Sequence, residues 1–428
     1  MNVHESEKLA GILEGTGYSV AADMNDADII VINTCTIRQN AENRVVGNLG
    51  YIKKLKEKNK SLILGIFGCM PQADGAAQKL IKRAPFINII FGTHNLYKFS
   101  DYLKRALEGE KVIEIELESK VVEGLEVKRT SGINAWVNIA YGCDNYCSYC
   151  IVPFVRGREK SREPQVVLKE VEDLLKQGYK EITLLGQNVN SYNGIDSNGE
   201  KKDFADLLEN IALLPYKFRV RFMTSHPKDF SVKVIDAIAR HKNLPPYFHL
   251  PAQSGSDRIL KLMNRKYTAK HYLGLIDIIK SKIPDAGFSS DIIVGFPTET
   301  EEDFDKTLEL VKKSRYHHLF SFIYSPRAGT KAAEMEGQID KKTVDARFSK
   351  LTELQTKIGL EIAEKQVGKT VEILCDTFDK DKNTYRGKTE NGKIVSFTSA
   401  NNLVGEFVTL KVTKSKNSNL IGEMLSPH

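Results

Sequence analysis

The sequence contains no apolar run of about 18 residues or more, has few cysteines (six in 428 positions), and carries only a small positive excess, 62 basic against 55 acidic side chains. Without such a run there is no candidate membrane-spanning helix. The opening MNVHESEKLAG also lacks the basic and apolar regions of a secretory signal, so a soluble, cytoplasmic protein is expected. Six cysteines cannot be a disulfide scaffold in a chain long enough to bury a sizeable core, so they must serve some different purpose. A net charge of +7 is of the size that solvated lysines ordinarily supply, and by itself it names no polyanionic partner.

At roughly 150 residues per domain the length suggests two or three domains. Residues 1–110 alternate helical and strand periods, with apolar runs at 28–32, 62–67 and 87–91, and read as a doubly wound α/β domain. Residues 111–130 are charged with weak alternation and read as a connector with some strand content. From 131 to 365 six strands are expected, near 135–140, 181–185, 218–223, 247–250, 288–294 and 319–323, with amphipathic helices such as 165–177 between them. Six strand–helix units fall short of a full eightfold barrel, so a partial, open (β/α)6 barrel is expected. Residues 366–428 change to short β-type runs broken by Asn-Gly and Asn-Asn, the pattern of a small antiparallel, OB-like barrel.

Cys143, Cys147 and Cys150 stand in YGCDNYCSYC, directly after the first strand expected for the barrel. Structural zinc takes four protein ligands, and no fourth Cys or His lies nearby in sequence. Three thiolates at C-x₃-C-x₂-C spacing suit three irons of a [4Fe-4S] cluster, leaving the fourth iron open. An open iron is what S-adenosylmethionine needs for its amine and carboxylate to chelate the cluster and for its sulfonium to be cleaved to a 5′-deoxyadenosyl radical.

The strings NTCTIRQNAENR, GIFGCMPQ, GCDNYCSYCIVPFVRGREKSR, LLGQNVNSY, TSHPKDF, HLPAQSGSDRIL and DIIVGFPTET are specific, and with them the chain resembles a radical S-adenosylmethionine methylthiotransferase. The resemblance is to the branch that methylthiolates isopentenylated adenosine next to the anticodon of tRNA, and it covers essentially the whole chain. It implies an N-terminal methylthiotransferase domain, a radical core and a C-terminal TRAM domain. It also implies a second [4Fe-4S] cluster, two of whose three ligands match Cys35 and Cys69. Either cysteine alone would read as a core thiol. The third family cysteine precedes the stretch that opens this chain, so either the sequence starts at an internal methionine, the expected case because everything downstream is intact, or this form lacks one ligand and one strand. Cys375 fits no cluster pattern and reads as an ordinary thiol.

The segments expected at the C-terminal ends of the barrel strands include Gln187, Ser225 and Gln253, with polar edges of S-adenosylmethionine and the target base as their partners. By resemblance, Gln187 meets the methionine amine, Asp291 with Gly295, Phe296 and Pro297 lies near ribose and adenine, and Tyr149 joins the cofactor contacts. Tyr146, Tyr149 and Phe154 flank the cluster and either stack on an extruded base or shield the cluster. Arg156, Arg158, Lys160 and Arg162, together with Arg386 and Lys388 of the tail, are the candidate RNA contacts. The tail from Gln366 holds nine basic and seven acidic residues, so its RNA role rests on the resemblance more than on charge. The lysine-rich stretch 53–60 reads as a solvated helix end.

The resemblance implies that a radical formed at the Cys143/Cys147/Cys150 site abstracts hydrogen from carbon 2 of the modified adenine. The Cys35/Cys69 site then delivers sulfur methylated by a second S-adenosylmethionine. It implies as partners tRNA at its anticodon loop, an electron donor such as flavodoxin or ferredoxin, and a supplier of sulfur or clusters. No membrane is implied, and the chain is expected to be a monomer. Two neighbouring branches, acting on threonylcarbamoyl-adenosine in tRNA or on a ribosomal-protein aspartate, stay open, as does an RNA-binding iron–sulfur protein without sulfur insertion.

Overall fold

The computed structural model describes residues 1–36 and 39–425, so Ile37 and Arg38 of the NTCTIRQNAENR stretch lie outside the described residues. The chain forms two compact units. The first comprises Met1–Thr130, Ala140–Lys160 and Ser325–Ala333; the second comprises Ser131–Ile139, Ser161–Tyr324 and the chain from Glu334 on. The segment carrying Cys143, Cys147 and Cys150 thus groups with the N-terminal residues. Among the described residues no helix is long and apolar enough to cross a membrane.

The first unit is built on a parallel sheet of Ile29–Thr34, Ile63–Gly68, Ile89–Phe91 and Val112–Glu114, in that order. Every residue of Ile63–Gly68 is buried, because successive side chains feed two cores on opposite faces. Leu64 and Ile66 pack with Leu49 and Ile52 of helix Gln39–Lys58 and Leu80 of Ala76–Arg83. Ile63 and Phe67 pack with Leu9 of helix Asn2–Gly15 and Phe99 and Tyr102 of Phe99–Leu107. The rings of Phe67 and Phe91 stack 5.0 Å apart. The strand content expected within the connector 111–130 lies at its start, where Val112–Glu114 is the fourth strand of this sheet. Three residues are too few for alternation to register in sequence.

In the second unit the six expected barrel strands are all present and pair in parallel. Asn134–Asn138, Glu181–Leu185 and Arg219–Phe222 form one three-stranded sheet; Tyr247–His249, Gly287–Val294 and His318–Ile323 form another. Helices follow the strands, several with side-chain N-caps: the Asp203–Asp206 and Thr300–Asp303 capping boxes and Thr268.

The tail is a closed barrel of five strands, Thr370–Asp379, Thr384–Thr389, Ile394–Phe397, Phe407–Lys416 and Asn419–Met424. The last, weakly marked in sequence, closes it by pairing antiparallel with Phe407–Lys416 and parallel with Ile394–Phe397. Its hairpin turns at Asn417 and Ser418, with φ of 49° and 65°. Asn-Ser is a less obvious left-handed turn than Asn-Gly.

Arginines of the third barrel strand hold this module. Arg219 donates to the carbonyl of Lys388 at 3.0 Å and to Glu372 Oε1 at 3.1 Å, and Arg221 donates to the carbonyl of Thr389 at 3.0 Å. Lys393 of the module is buried beneath the carbonyls of His317 and Ser418, 3.5 and 3.4 Å from its Nζ. Burial pulls its ammonium down to about 8. The folded form therefore binds fewer protons than the unfolded chain between pH 8 and the ordinary lysine value of 10.5, and stability from this group rises with pH across that window. Lys393→Met is expected to stabilise the protein by roughly 1–3 kcal/mol at pH 7. The gain shrinks towards pH 10.5 in thermal melts run across the range; a pH-independent difference would contradict the assignment.

Candidate cofactor and substrate site

In the first unit the cluster loop is shaped by its backbone. Gly142 has φ of +72°, and a Cβ there would meet the carbonyl oxygen of Arg158 at 2.1 Å. The Cys143 N–H donates to the carbonyl of Gly157 at 3.2 Å. Across the same neck the Arg158 guanidinium holds Asp144 through two bonds of 2.7 and 3.0 Å. Cys147 is buried, and Cys143 and Cys150 are half-buried. Asn145 Nδ2 donates to Cys143 Sγ at 3.4 Å, while burial pushes that thiol up. The donor set, three thiols on one eight-residue loop, fits a cluster with one iron left open.

Cys35 and Cys69 are the residues next after Thr34 and Gly68, which are paired in register on adjacent parallel strands. Residues far apart in sequence are thereby brought to neighbouring strand ends, the position where α/β sheets place ligands. Gly68, with φ of +108°, could carry no Cβ without approaching the Thr34 carbonyl oxygen to 2.5 Å. Cys69 is 2% exposed and packs on Ile151 and Val155, in the helical turn after the cluster loop. Burial pushes its thiol up, and the Arg156 guanidinium works against that as a hydrogen-bond partner.

Arg156, one of the expected RNA contacts, is thus turned inward. It is 6% exposed and donates to Asn2 Oδ1 at 3.0 Å and to Glu5 Oε1 at 3.4 Å. Arg162, in the second unit, is withdrawn likewise, donating to the Asn138 carbonyl and Glu170 Oε2, each at 2.7 Å. Both differ from the solvent-facing position expected of a phosphate contact, because each guanidinium is turned onto carboxylate, carbonyl or amide oxygens. Arg158 and Lys160 are exposed, with partners at Asp144 and the Ser119 carbonyl. Arg386 is half-buried, 2.7 Å from Asp379, and Lys388 is exposed. Tyr146 and Phe154 form an exposed edge-to-face pair beside the cluster loop, centroids 6.0 Å apart, and Tyr149 is half-buried.

In the second unit the strand-end segments differ in what they offer. Gln187 is half-buried. Ser225 is 5% exposed and its hydroxyl has no protein partner. Gln253, with φ of +67°, is fixed between the Asp291 carbonyl and the Ile293 N–H, at 2.8 and 3.0 Å. The Asp291 carboxylate lies 3.6 Å from His249 Nε2, and His249 Nδ1 is 2.9 Å from Ser289 Oγ. The Gly295–Pro297 corner is structural on its side-chain side. Phe296 is fully buried against Tyr324, and Glu299 accepts from the Gly295 N–H at 3.0 Å while paired with Arg347. The Phe296 ring is thus taken up by the core, which leaves the backbone of this corner as the part open to a ligand. Three asparagines at strand ends, Asn138, Asn188 and Asn190, are buried with unsatisfied amide atoms. Asn138 lies outside every motif and Asn190 lies inside LLGQNVNSY with nothing in the sequence to distinguish it, so burial is what marks them.

Three family models match the chain: the radical SAM superfamily over residues 137–311, the uncharacterized protein family UPF0004 over 1–92, and the TRAM domain over 364–425. In fold it is similar to TsrM, a radical S-adenosylmethionine methyltransferase of Kitasatospora setae, with a TM-score of 0.56 at 13% identity over 85% of this chain and 73% of that one. Relatives named tRNA-2-methylthio-N(6)-dimethylallyladenosine synthase are similar along its length. That of Clostridium beijerinckii is 49% identical over 99% of this chain and 93% of its own; that of Clostridium tetani is 50% identical over 99% and 94%. That of Carboxydothermus hydrogenoformans is 46% identical over 99% and 97%. With the cluster loop, the six-stranded barrel and the closed terminal barrel in place, the chain belongs to the tRNA-2-methylthio-N(6)-dimethylallyladenosine synthase family of radical S-adenosylmethionine enzymes.

Proposed function

We propose that this chain places a methylthio group on carbon 2 of isopentenylated adenosine beside the anticodon of tRNA. Cys143, Cys147 and Cys150 hold one [4Fe-4S] cluster, and Cys35 and Cys69 supply two ligands of a second. The observation that carries the reading is the register pair Thr34 and Gly68, which sets two otherwise unrelated cysteines at adjacent strand ends in the compact unit that also holds the cluster loop. When bound, the clusters and S-adenosylmethionine supply the radical chemistry and the sulfur, which no side chain offers.

The chain's own residues do the holding. Gly142 and the Asp144–Arg158 pair fix the loop that presents three thiols. Ile151 and Val155 shut solvent from Cys69. The strand-end polar residues of the second unit receive S-adenosylmethionine and the base, and the exposed Arg158, Lys160 and Lys388 with the half-buried Arg386 meet tRNA phosphate. The organisation follows as a methylthiotransferase domain to about residue 110, a radical core over 131–365 and an RNA-binding TRAM module beyond. Such chemistry requires a one-electron donor of the flavodoxin or ferredoxin kind and a source of sulfur or clusters. The protein acts as a cytoplasmic monomer.

Iron counting after anaerobic reconstitution tests the two-site reading. About eight irons per chain are expected, falling to about four in Cys35→Ala or Cys69→Ala. About four in the parent would contradict it and favour the RNA-binding iron–sulfur reading.

A further inference from the structure

Burying a polar atom without a hydrogen-bond partner costs stability, so native chains keep few such atoms, and each one calls for a ligand or another cause. Among the described residues of the second unit ten such side-chain atoms occur, and six of them lie at or just beyond the C-terminal ends of three neighbouring strands, the others being single atoms of Asn134, Ser314, Tyr324 and Gln355. Asn138 is the last residue of the first barrel strand, Asn188 and Asn190 follow the second, and Ser225 follows the third. Their relative exposures are 0, 2, 9 and 5%. Both amide atoms of Asn138, both of Asn190, Oδ1 of Asn188 and the Ser225 hydroxyl lack a partner. The three strands are neighbours in one sheet, and the Val189 N–H donates to the Thr224 carbonyl at 3.1 Å, which ties the second loop to the third. Asn138 lies two and four residues from Trp136 and Asn134, so it shares their face of the strand. Through the register pairs Asn134 with Glu181 and Arg219 with Glu181, that is the face of Arg219 and Arg221, whose side chains reach the terminal barrel.

The donor and acceptor pattern selects the ligand. A carboxylate only accepts and an ammonium only donates, so each alone satisfies one half of a carboxamide and only the two together satisfy both. A carboxamide with both atoms vacant matches a flat partner that presents an acceptor and a donor side by side, as adenine does with a ring nitrogen next to its N6–H. Alkylation of N6 leaves one such hydrogen.

We propose that Asn138 and Asn190 are adenine-reading residues, with Asn188 and Ser225 completing the polar wall of the same subsite. This rests on the function proposed above, which provides two adenines: that of S-adenosylmethionine and that of the target nucleotide.

The test uses the full chain with its clusters reconstituted and two probes: S-adenosylmethionine alone, and an anticodon stem-loop carrying N6-isopentenyladenosine. Asn138→Leu and Asn190→Leu keep the side-chain shape and remove the vacant polar atoms. Each is expected to weaken one probe by roughly 10- to 100-fold, and the probe affected identifies which adenine is read. The melting temperature without ligand is expected to hold or rise, since an unsatisfied buried group has been removed. Asn134→Leu, at the opposite end of the same strand, is expected to leave both affinities unchanged. Unchanged binding of both probes by both variants would overturn the proposal. So would a loss for both probes accompanied by a lowered melting temperature, which is what a merely structural role produces. A parent protein that bound neither probe would overturn the functional reading itself, whereas a binding parent with unaltered variants overturns only the adenine subsite.

Discussion

Cys147→Ala protein, reconstituted under the same conditions as the parent, is expected to carry about four irons fewer per chain and to form no methylthio product. The thiolates of Cys143 and Cys150 alone leave one of three irons without its protein ligand. The loss in activity should exceed the roughly 10–100-fold that follows removal of an outer-shell partner from a metal site. Folding should survive. The substitution removes a single sulfur atom from a loop that Gly142, Asp144 and Arg158 hold from outside. Circular dichroism should therefore match the parent while the iron content and the product fall together. Methylthio product from this variant would remove Cys147 from the cluster site.

Gly142→Ala is expected to have an effect nearly as large without touching a sulfur. Gly124 provides the comparison, because it has the same φ of +72° and nothing within 4 Å of where a Cβ would stand, whereas at Gly142 the Arg158 and Gly157 carbonyl oxygens would lie 2.1 and 2.6 Å away. Gly124→Ala should lose only about 1 kcal/mol for the left-handed backbone. At Gly142 the obstacle is backbone, so the loop must part from its return segment and break the Cys143 N–H bond to Gly157. Cluster loading at the Cys143/Cys147/Cys150 site should fall to a small fraction of the parent's. Equal iron content in the two alanine variants would show that the tight neck does not matter.

The parts of the fold legible in sequence are those buried on both faces. Ile63–Gly68 and Glu181–Leu185 read as unbroken apolar or near-apolar runs because each side packs against something. The cluster loop is legible because three thiols at that fixed spacing suit little besides a metal cluster, and Cys35 and Cys69 because each follows a strand. Their adjacency is not, since it lives in the register of two strands. The same limit applies to Arg156 and Arg162. A basic stretch looks the same whether its side chains face water or turn inward, and the partners that bury Arg156, Asn2 and Glu5, lie at the other end of the first unit's sequence. Asn138 and Asn190 escape notice for a related reason. An asparagine at a strand end, as Asn138, or in a polar loop, as Asn190, is ordinarily a turn or cap residue, and only the absence of any partner for the buried amide sets these apart.

The central claim, methylthiolation of isopentenylated adenosine in tRNA, is tested most directly by mass spectrometry of tRNA nucleosides from a strain deleted for the gene and complemented with the parent or with Cys147→Ala. The deletion should accumulate isopentenyladenosine and lack its 2-methylthio derivative, and the parent alone should restore it. A deletion strain that keeps the methylthio-isopentenyl nucleoside, and instead loses methylthio-threonylcarbamoyl-adenosine or the modified ribosomal aspartate, would contradict the account.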